Sequence, residues 1–406
     1  MALVLWWLWW LWVVALAGGA GVWGWLNLSR THRATLGYVL AETEVRSDAG
    51  LPRVAIIVPG RDEAEHLPET LRGLCAQDYP DYRVVFVDDA SGDGTPGIAR
   101  EMAGCYEHLR VVRNEASPPA GWVGKPHAVW RGYEALVAEE RRTGWRAEWV
   151  CFTDADIHWH PQCLRSAVRH GLETGADLVG LYPELRFGSW VEALVQVQLV
   201  LALGVLYPVE RAMDPGHEDT LTGGAFMLVR RSHYDAIGGH RAVQGLVVED
   251  LALGKALKAN GARVRVAMAS ELFWCRMYEG WADQWEGLTK NAYAGIDYNP
   301  LKALGMLTGV AMFNVLPTVS LLVWGVAVVV GSVDLSSVYG WLPGVLAGVG
   351  AVMGARAMDA ARKFCGLNGL YAWSLAAGSA VYGVIVLASI RDYYLGGNRW
   401  KGRRYG

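Results

Sequence analysis

Val54-Ala55-Ile56-Ile57-Val58-Pro59-Gly60 and, further on, Arg83-Val84-Val85-Phe86-Val87-Asp88-Asp89 decide the fold of this chain. Both are continuous apolar runs rich in β-branched and aromatic residues that end in turn signals, as strands buried on both faces do. Between them His66 to Gln77 carries Leu67, Leu71 and Leu74 at helical spacing. Strand, helix and strand in that order make a β-α-β unit, and hence an open α/β sheet. The carboxyl edge of such a sheet is where ligands bind, and here it receives Asp88, Asp89, Ser91, Asp93, Gly94 and Thr95. Trp149-Val150-Cys151-Phe152 is a further strand and runs directly into Thr153-Asp154-Ala155-Asp156. Two carboxylates one residue apart at a strand end offer oxygen ligands to one hard cation, Mg2+ or Mn2+, of the kind that bridges a diphosphate.

Outward from this region the chain becomes apolar. With 406 residues, 52% hydrophobic, and a formal net charge of -3, it has no basic field for DNA or RNA and reads as a membrane protein. Its six cysteines (Cys75, Cys105, Cys151, Cys163, Cys275 and Cys365) form no C-x-x-C pair or metal spacing, so they read as reduced, buried thiols. Leu3 to Leu26 is uncharged and long enough to cross a bilayer, and it lacks the basic start of a signal peptide. Arg30, His32 and Arg33 follow it while no Lys or Arg precedes it, which places the next part in the cytoplasm. Towards the other end, Leu304–Gly331 and Gly369–Ile390 read as spans, whereas 339–355 is short and glycine-rich. Counting all three puts the C-terminus outside, against the preference of Arg391, Arg399, Lys401, Arg403 and Arg404 for the inside. The expected organisation is an anchor over 1–33, an α/β domain over 34–300, and two or three helices with a basic tail over 301–406.

Val58-Pro59-Gly60-Arg61-Asp62-Glu63, Val87 to Thr95, Thr153 to Asp156 and Glu249-Asp250 together resemble the ordered motifs of family-2 glycosyltransferases with the GT-A fold. That fold is an open mixed sheet flanked by helices. The stretches Gly121 to Pro126 and Met277 to Asn291 are similar to membrane-bound carotenoid- and hopanoid-associated members, with ceramide glucosyltransferases more distant. The resemblance implies an inverting transfer of a hexose from a nucleotide-diphospho-sugar, a UDP-sugar, to a lipid hydroxyl at the cytoplasmic face of the cell membrane. Two other readings stay open. One is a polyprenyl-phosphate sugar transferase, whose basic cluster Arg230, Arg231 and Arg241 could supply; the other is a degenerate scaffold.

What the resemblance implies for single residues is as follows. Pro59, Arg61, Glu63, Asp88 and Asp89 bind the donor, with Glu63 and Asp89 on the nucleoside. Asp154 contacts donor and metal, and Asp156 is the second metal ligand. Lys125 offers its charge to a phosphate from a glycine-flanked loop, unless it is a solvated loop lysine. Asp250 is the general base that takes the acceptor proton; as a structural residue it would be the N-cap at a strand-to-helix junction. Asp88 and Asp93 also read as turn residues. The cation of the family's Q-x-x-R-W motif is missing after Gln284, which leaves Arg276 and Lys290 as candidate diphosphate contacts. Gly223, Gly224 and Glu249 fall on the acceptor side, although Thr222 to Phe226 reads equally well as a tight turn.

Trp190 to Val209 is apolar enough to be mistaken for a span. Asp154 and Asp156 precede it and Asp250 follows it, and a single crossing would put metal and base on opposite sides of the bilayer. The segment is therefore expected to lie in the interface or to re-enter, with a buried core helix as the alternative.

Overall fold

A computed structural model describes residues 2–28, 40, 48, 50–400 and 403–405. Arg30, His32 and Arg33, which carry the orientation argument, lie outside the described residues, as does Lys401.

Strands β1 (Val54–Gly60), β2 (Tyr82–Asp89), β3 (Leu109–Asn114) and β4 (Trp149–Phe152) run parallel, with β1 between β2 and β4. Residues 54–58 of β1 are fully buried, because helices cover both faces, and this is why the run is apolar without alternation. The small strands β5 (Ile157–Trp159), β7 (Glu184–Leu185) and β10 (Phe273–Cys275) form a separate sheet. The main sheet continues through β8 (Met227–Arg230), antiparallel to both β4 and β6 (Leu178–Tyr182), and ends on β9 (Val264–Met268), giving the order β3-β2-β1-β4-β8-β6-β9. The sheet is thus mixed, open and flanked by helices, the fold class expected from the motifs.

Helix α1 (Ala2–Leu28) precedes this domain. Helix α2 (Leu67–Cys75) buries Leu67, Leu71 and Leu74, as its periodicity requires. Helices α3 (Thr95–Cys105), α4 (Gly124–Thr143) and α5 (Cys163–Thr174) complete the covering layers. On α4, Gly132 sits directly on the sheet: a Cβ there would lie 2.7 Å from Val87 Cγ2 and 2.8 Å from Ile57 Cγ2. Register brings Gly60 opposite Asp88, while Ile57 is opposite Phe152, so the two acidic strand ends share one edge.

Helix α6 (Trp190–Leu206) is followed by α7 (Glu249–Ala259) and α8 (Gly280–Ala292). The last third of the chain forms α9 (Pro300–Val329, with a π-helical stretch Val310–Val315), α10 (Val338–Phe364) and, after a short 3-10 segment Gly369–Ser374, α11 (Leu375–Leu395). Among the described residues, four helical segments are long and apolar enough to cross a membrane: α1, α9, α10 and Gly369–Leu395. The segment 339–355, expected to be short, is part of a helix of 27 residues. Its glycines disguise it. Gly344 lies against the Trp324 ring, and Gly350 approaches Pro317 and Ala20, so small residues let the helices come close, as they do inside membranes.

Gly132→Ala is expected to overpack the α4–sheet contact and to cost ~1–3 kcal/mol. Gly97→Ala, on α3 with nothing within 4 Å of its added Cβ, should leave stability unchanged or raise it slightly. Thermal unfolding of the two variants in detergent checks the pair, and equal melting temperatures would contradict the packing assigned to Gly132.

Candidate active site

The sheet edge defined by β1, β2 and β4 opens into a cavity of about 570 Å³. Pro59, Arg61, Glu63 and Asp89 line it from the first two loops. Those loops are tied to each other: Asp62 N–H donates to Ser91 Oγ at 2.9 Å, Glu63 N–H to Thr95 Oγ1 at 2.8 Å, and Gly92 N–H to Asp62 Oδ1 at 2.8 Å. Asp62 and Ala90 both sit at positive φ, 52° and 57°, a strained conformation that this cross-loop bonding maintains. Arg61 Nη1 donates to the carbonyl of Asp89 at 2.9 Å, and Asn114 Nδ2 donates to Asp89 Oδ1 at 3.1 Å.

Asp88 and Asp93 do other work. Asp88 is fully buried, accepts from Ser91 N–H at 3.1 Å and ion-pairs with Arg113 at 3.2 Å; it does not line the cavity. Asp93 accepts from Thr95 and Ala64 N–H groups; these bonds outweigh its slight burial and hold its carboxyl below the usual range. Both close the loop that carries Asp89.

Lys125 is the electrostatic centre of the site. It lies in the first turn of α4 rather than in a loop, because Gly124 already opens the helix. Its Nζ reaches Asp154 Oδ1 at 2.5 Å and Glu249 Oε1 at 3.2 Å, so it is not a solvated loop lysine. Burial works against its charge, but Asp154, Glu249 and Asp250 together raise its pKa well above the ordinary lysine value. Burial raises Glu249, against the pull of Lys125. Lys290, on α8, lines the same cavity, where burial pushes its amine down to about 8 against the pull of Glu249 and Asp154.

Asp250 stands in the first turn of α7, whose N-cap is Val248. The strand expected ahead of it is not formed. Gly239–Val243 is a 3-10 turn, and the Gln244 carbonyl accepts from Val123 N–H at 2.8 Å, which ties this segment to the loop before α4 instead of to the sheet. Asp250 Oδ2 accepts from Gly224 N–H at 2.8 Å and Oδ1 from Leu251 N–H at 2.8 Å, while Thr222 Oγ1 donates to the Asp250 carbonyl at 2.8 Å. The Thr222 to Phe226 stretch is therefore a tight turn before β8 and also a wall of the cavity, with Gly223 and Gly224 lining it. A Cβ at Gly224 would run into Lys125 Nζ and come within 3.1 Å of Asp154 Oδ2, which explains the glycine.

Arg276 is engaged elsewhere. Glu192, fully buried at the start of α6, accepts from Arg276 Nη2 at 3.0 Å, Gly280 N–H at 3.0 Å and Gly188 N–H at 2.7 Å. Burial opposes the charge of Glu192, but the Arg276 and backbone hydrogen bonds prevail and bring its pKa down to about 2. Arg276 does not line the cavity, whereas Lys290 does.

Asp154 and Asp156 both line the cavity and present hard oxygen donors. Among the described residues, the group of three ligand-type side chains close enough to hold an ion unaided is Glu65, His66 and Glu279, none of which lines the cavity. Two carboxylates that leave the other positions to substrate phosphates and water are the usual donor set for Mg2+, and the pair fits such an ion.

Beyond the carboxylates the cavity turns apolar, lined by Leu199, Leu203, Met306, Phe364 and Tyr382 of α6, α9, α10 and α11, and by Tyr182 and Tyr207. No motif marks these residues; in sequence they are indistinguishable from other apolar helix positions.

Residues 52–294 match the family described as Glycosyltransferase like family 2, and the chain belongs to that family. It is 25% identical over 248 residues to the 4,4'-diaponeurosporenoate glycosyltransferase of Staphylococcus aureus (strain MRSA252), an alignment that covers 60% of this chain and 61% of that protein. The match thus spans less than two thirds of such relatives. Among solved structures, the mannosyltransferase PcManGT from Pyrobaculum calidifontis, in complex with GDP-Man and Mn2+, aligns with a TM-score of 0.48 and 19% identity over 94% of this chain and 98% of its own. Glucosyl-3-phosphoglycerate synthase from Mycobacterium tuberculosis, with Mn2+, UDP and glucosyl-3-phosphoglycerate, aligns with a TM-score of 0.38 and 18% identity over 61% of this chain and 81% of its own. The family, and the kinship with a carotenoid-associated member, were both legible in the motifs.

Removing the clamp on α6 by Glu192→Ala is expected to cost about 1–3 kcal/mol at neutral pH, since several donors lose their acceptor. The pKa of Glu192 is lowered from 4.5 to about 2 on folding, so its contribution is complete above pH 4.5 and is lost as the pH falls towards 2. Wild-type and variant stabilities measured from pH 7 to 3 should converge in acid; a constant gap would contradict the clamp.

Proposed function

We propose that this protein moves a hexose from a UDP-sugar to the hydroxyl of a membrane lipid, by a single displacement with inversion. The observation that carries this reading is the continuity of the cavity: one end holds Asp89, Asp154, Asp156 and Asp250, and the other is walled by helices apolar enough to sit in a bilayer. A water-soluble donor and a bilayer-dissolved acceptor can therefore meet in one space. The Staphylococcus aureus relative, named for 4,4'-diaponeurosporenoate, supports an apolar acceptor of the carotenoid class.

In this reading Asp89 and Glu63 hold the nucleoside, and Arg61 supports Asp89 through its carbonyl. Asp154 and Asp156 hold Mg2+ or Mn2+, which when bound neutralises the departing diphosphate. Lys125 and Lys290 add positive charge on the same side, so the leaving group needs no proton. Asp250 takes the acceptor proton. Its two backbone bonds orient the carboxylate while leaving it lone pairs for the incoming hydroxyl. The absence of a second carboxylate motif placed as a nucleophile supports inversion. The domain over 34–300 then faces the cytoplasm, where nucleotide sugars are made, and the chain resides in the cell membrane.

A phosphate acceptor is disfavoured by the fate of the arginines that could have received it. Arg230 is held by Asp177 at 3.0 Å, Arg231 by Glu140, and Arg241 lies over the Trp130 ring at 4.8 Å. The scaffold reading is disfavoured by the intact set of carboxylates around the cavity.

Transfer of radiolabel from UDP-sugars into the organic phase of a membrane lipid extract tests the reaction directly. Excess EDTA should abolish it, and undiminished turnover would remove the metal from the mechanism. Asp250→Asn should lower the rate by ~10²–10⁴-fold while donor affinity, measured by calorimetry, changes little. The amide places an NH2 group against one of the two backbone N–H groups, so the folded state loses about one hydrogen bond, worth ~1 kcal/mol. A variant within about threefold of the wild-type rate would return Asp250 to a structural role.

A further inference from the structure

We infer that the chain crosses the membrane three times, not four, and that the last apolar segment, Gly369–Leu395, is a re-entrant wall of the cavity that returns the C-terminus to the side of the α/β domain. By length and composition this segment qualifies as a span. Its neighbours assign it otherwise.

The depth scale comes from the helices that run side by side. Trp9 stacks edge-on against Tyr339 at 5.0 Å, Trp12 Nε1 donates to Ser320 Oγ at 2.8 Å, Trp23 Nε1 to the Phe313 carbonyl at 3.0 Å, and Asn27 Nδ2 to the Met353 carbonyl at 2.9 Å. Helices α1 and α10 therefore run parallel, α9 runs opposite to them, and all three share the stretch from Trp9 to Asn27. At ~1.5 Å per residue that stretch is about 27 Å, close to the ~30 Å of a bilayer core.

Helix α11 begins where this stretch ends. Leu375 lies against Gly354, whose added Cβ would be 2.6 Å from Leu375 Cδ2 and 3.6 Å from Trp23 Nε1. From that level α11 descends. Asn314 Nδ2 donates to Ser379 Oγ at 2.9 Å, a Cβ added at Gly383 would lie 3.8 Å from Leu307 Cδ2 and Val310 Cγ1, and Ser389 Oγ accepts from Tyr293 N–H at 3.1 Å. At its end Tyr393 stacks on Tyr298, with ring centroids 4.7 Å apart. Each step moves along α9 towards Pro300 and onto α8, away from the Trp9–Tyr339 end. The hairpin that follows (Asn398–Trp400 with Arg403–Tyr405) lies beside α8. A helix that starts at one membrane boundary and ends on the soluble domain has not crossed.

Charge supports this independently. Arg356, Arg362, Lys363 and Arg391 lie at the domain-side ends of α10 and α11, whereas the opposite loop, 331–337, contains Asp334 and no Lys or Arg. Three crossings also put the tail of Arg399, Lys401, Arg403 and Arg404 on the side that basic residues prefer.

Reporters active on one side of the membrane, inserted in the full-length chain after residue 33, at residue 334 and after residue 406, test the inference. Fusions at 33 and 406 should report the same side and the insertion at 334 the other. A reporter at 406 that shares the side of 334, or that divides between the two sides, overturns it. The comparison is relative, so it holds whatever reaction the cavity catalyses.

Discussion

Asp154 and the adjacent pair Glu249-Asp250 come from distant parts of the chain and meet at one cavity, and their mutual repulsion is the constraint around which the site is built. Like charges brought together out of bulk water are costly unless a counter-charge or a donor is placed on each. Lys125 serves the first two, and backbone N–H groups of Gly224 and Leu251 serve the third. This solution dictates local sequence. Lys125 stands in the first turn of α4, and a side chain at position 224 would crowd its ammonium and Asp154 where the Gly224 N–H reaches Asp250. In the proposed reaction, a metal diphosphate would relieve the carboxylates and engage the lysines at once.

The second half of the cavity depends on the membrane helices, and so fold and bilayer cannot be treated apart. Helix α6 carries three polar residues on an otherwise apolar rod, and each has a partner: Glu192 holds Arg276, Gln196 Nε2 donates to Gln284 Oε1 at 3.0 Å, and Gln198 accepts from Ser379 Oγ at 3.2 Å. Gln196 thus ties α6 to α8 and Gln198 ties it to α11. The opposite ends of this helix, Trp190 and Leu206, stay exposed and apolar.

Much of this was legible because burial on two faces leaves a strong sequence signal. The β1 run, the Leu67-Leu71-Leu74 stripe and the acidic strand end at Asp154 could be placed from spacing alone. Lys125 could not. Its type and its flanking glycines were visible, but its partners lie 29 and 124 positions away, and only tertiary packing joins them. The strand expected before Asp250 failed for a related reason: two valines carry β propensity, yet the Gln244 carbonyl was taken by Val123 N–H, and tertiary context overrode a weak local preference.

Close packing gives hydropathy a second meaning in the C-terminal region. The segment that looked too short, within α10, is glycine-rich because close packing against α1 and α9 demands small residues, and charged Arg356 to Lys363 mark only where it leaves the bilayer. Helix α11 is long and apolar enough to span, but one face of it, with Ile385 and Val386, packs on Val195 of α6, Leu288 of α8 and Leu307 of α9, while Val384 and Leu387 stay exposed. Its serines make the distinction physical. Ser379 and Ser389 each sit within hydrogen-bond reach of partners on neighbouring elements, and Ser389 is fully buried against Thr289 and Tyr293 of the domain itself. Ser389 ties the end of α11 to that domain, while Ser379 bonds Asn314 of α9 and Gln198 of α6, and Tyr382 between them lines the cavity.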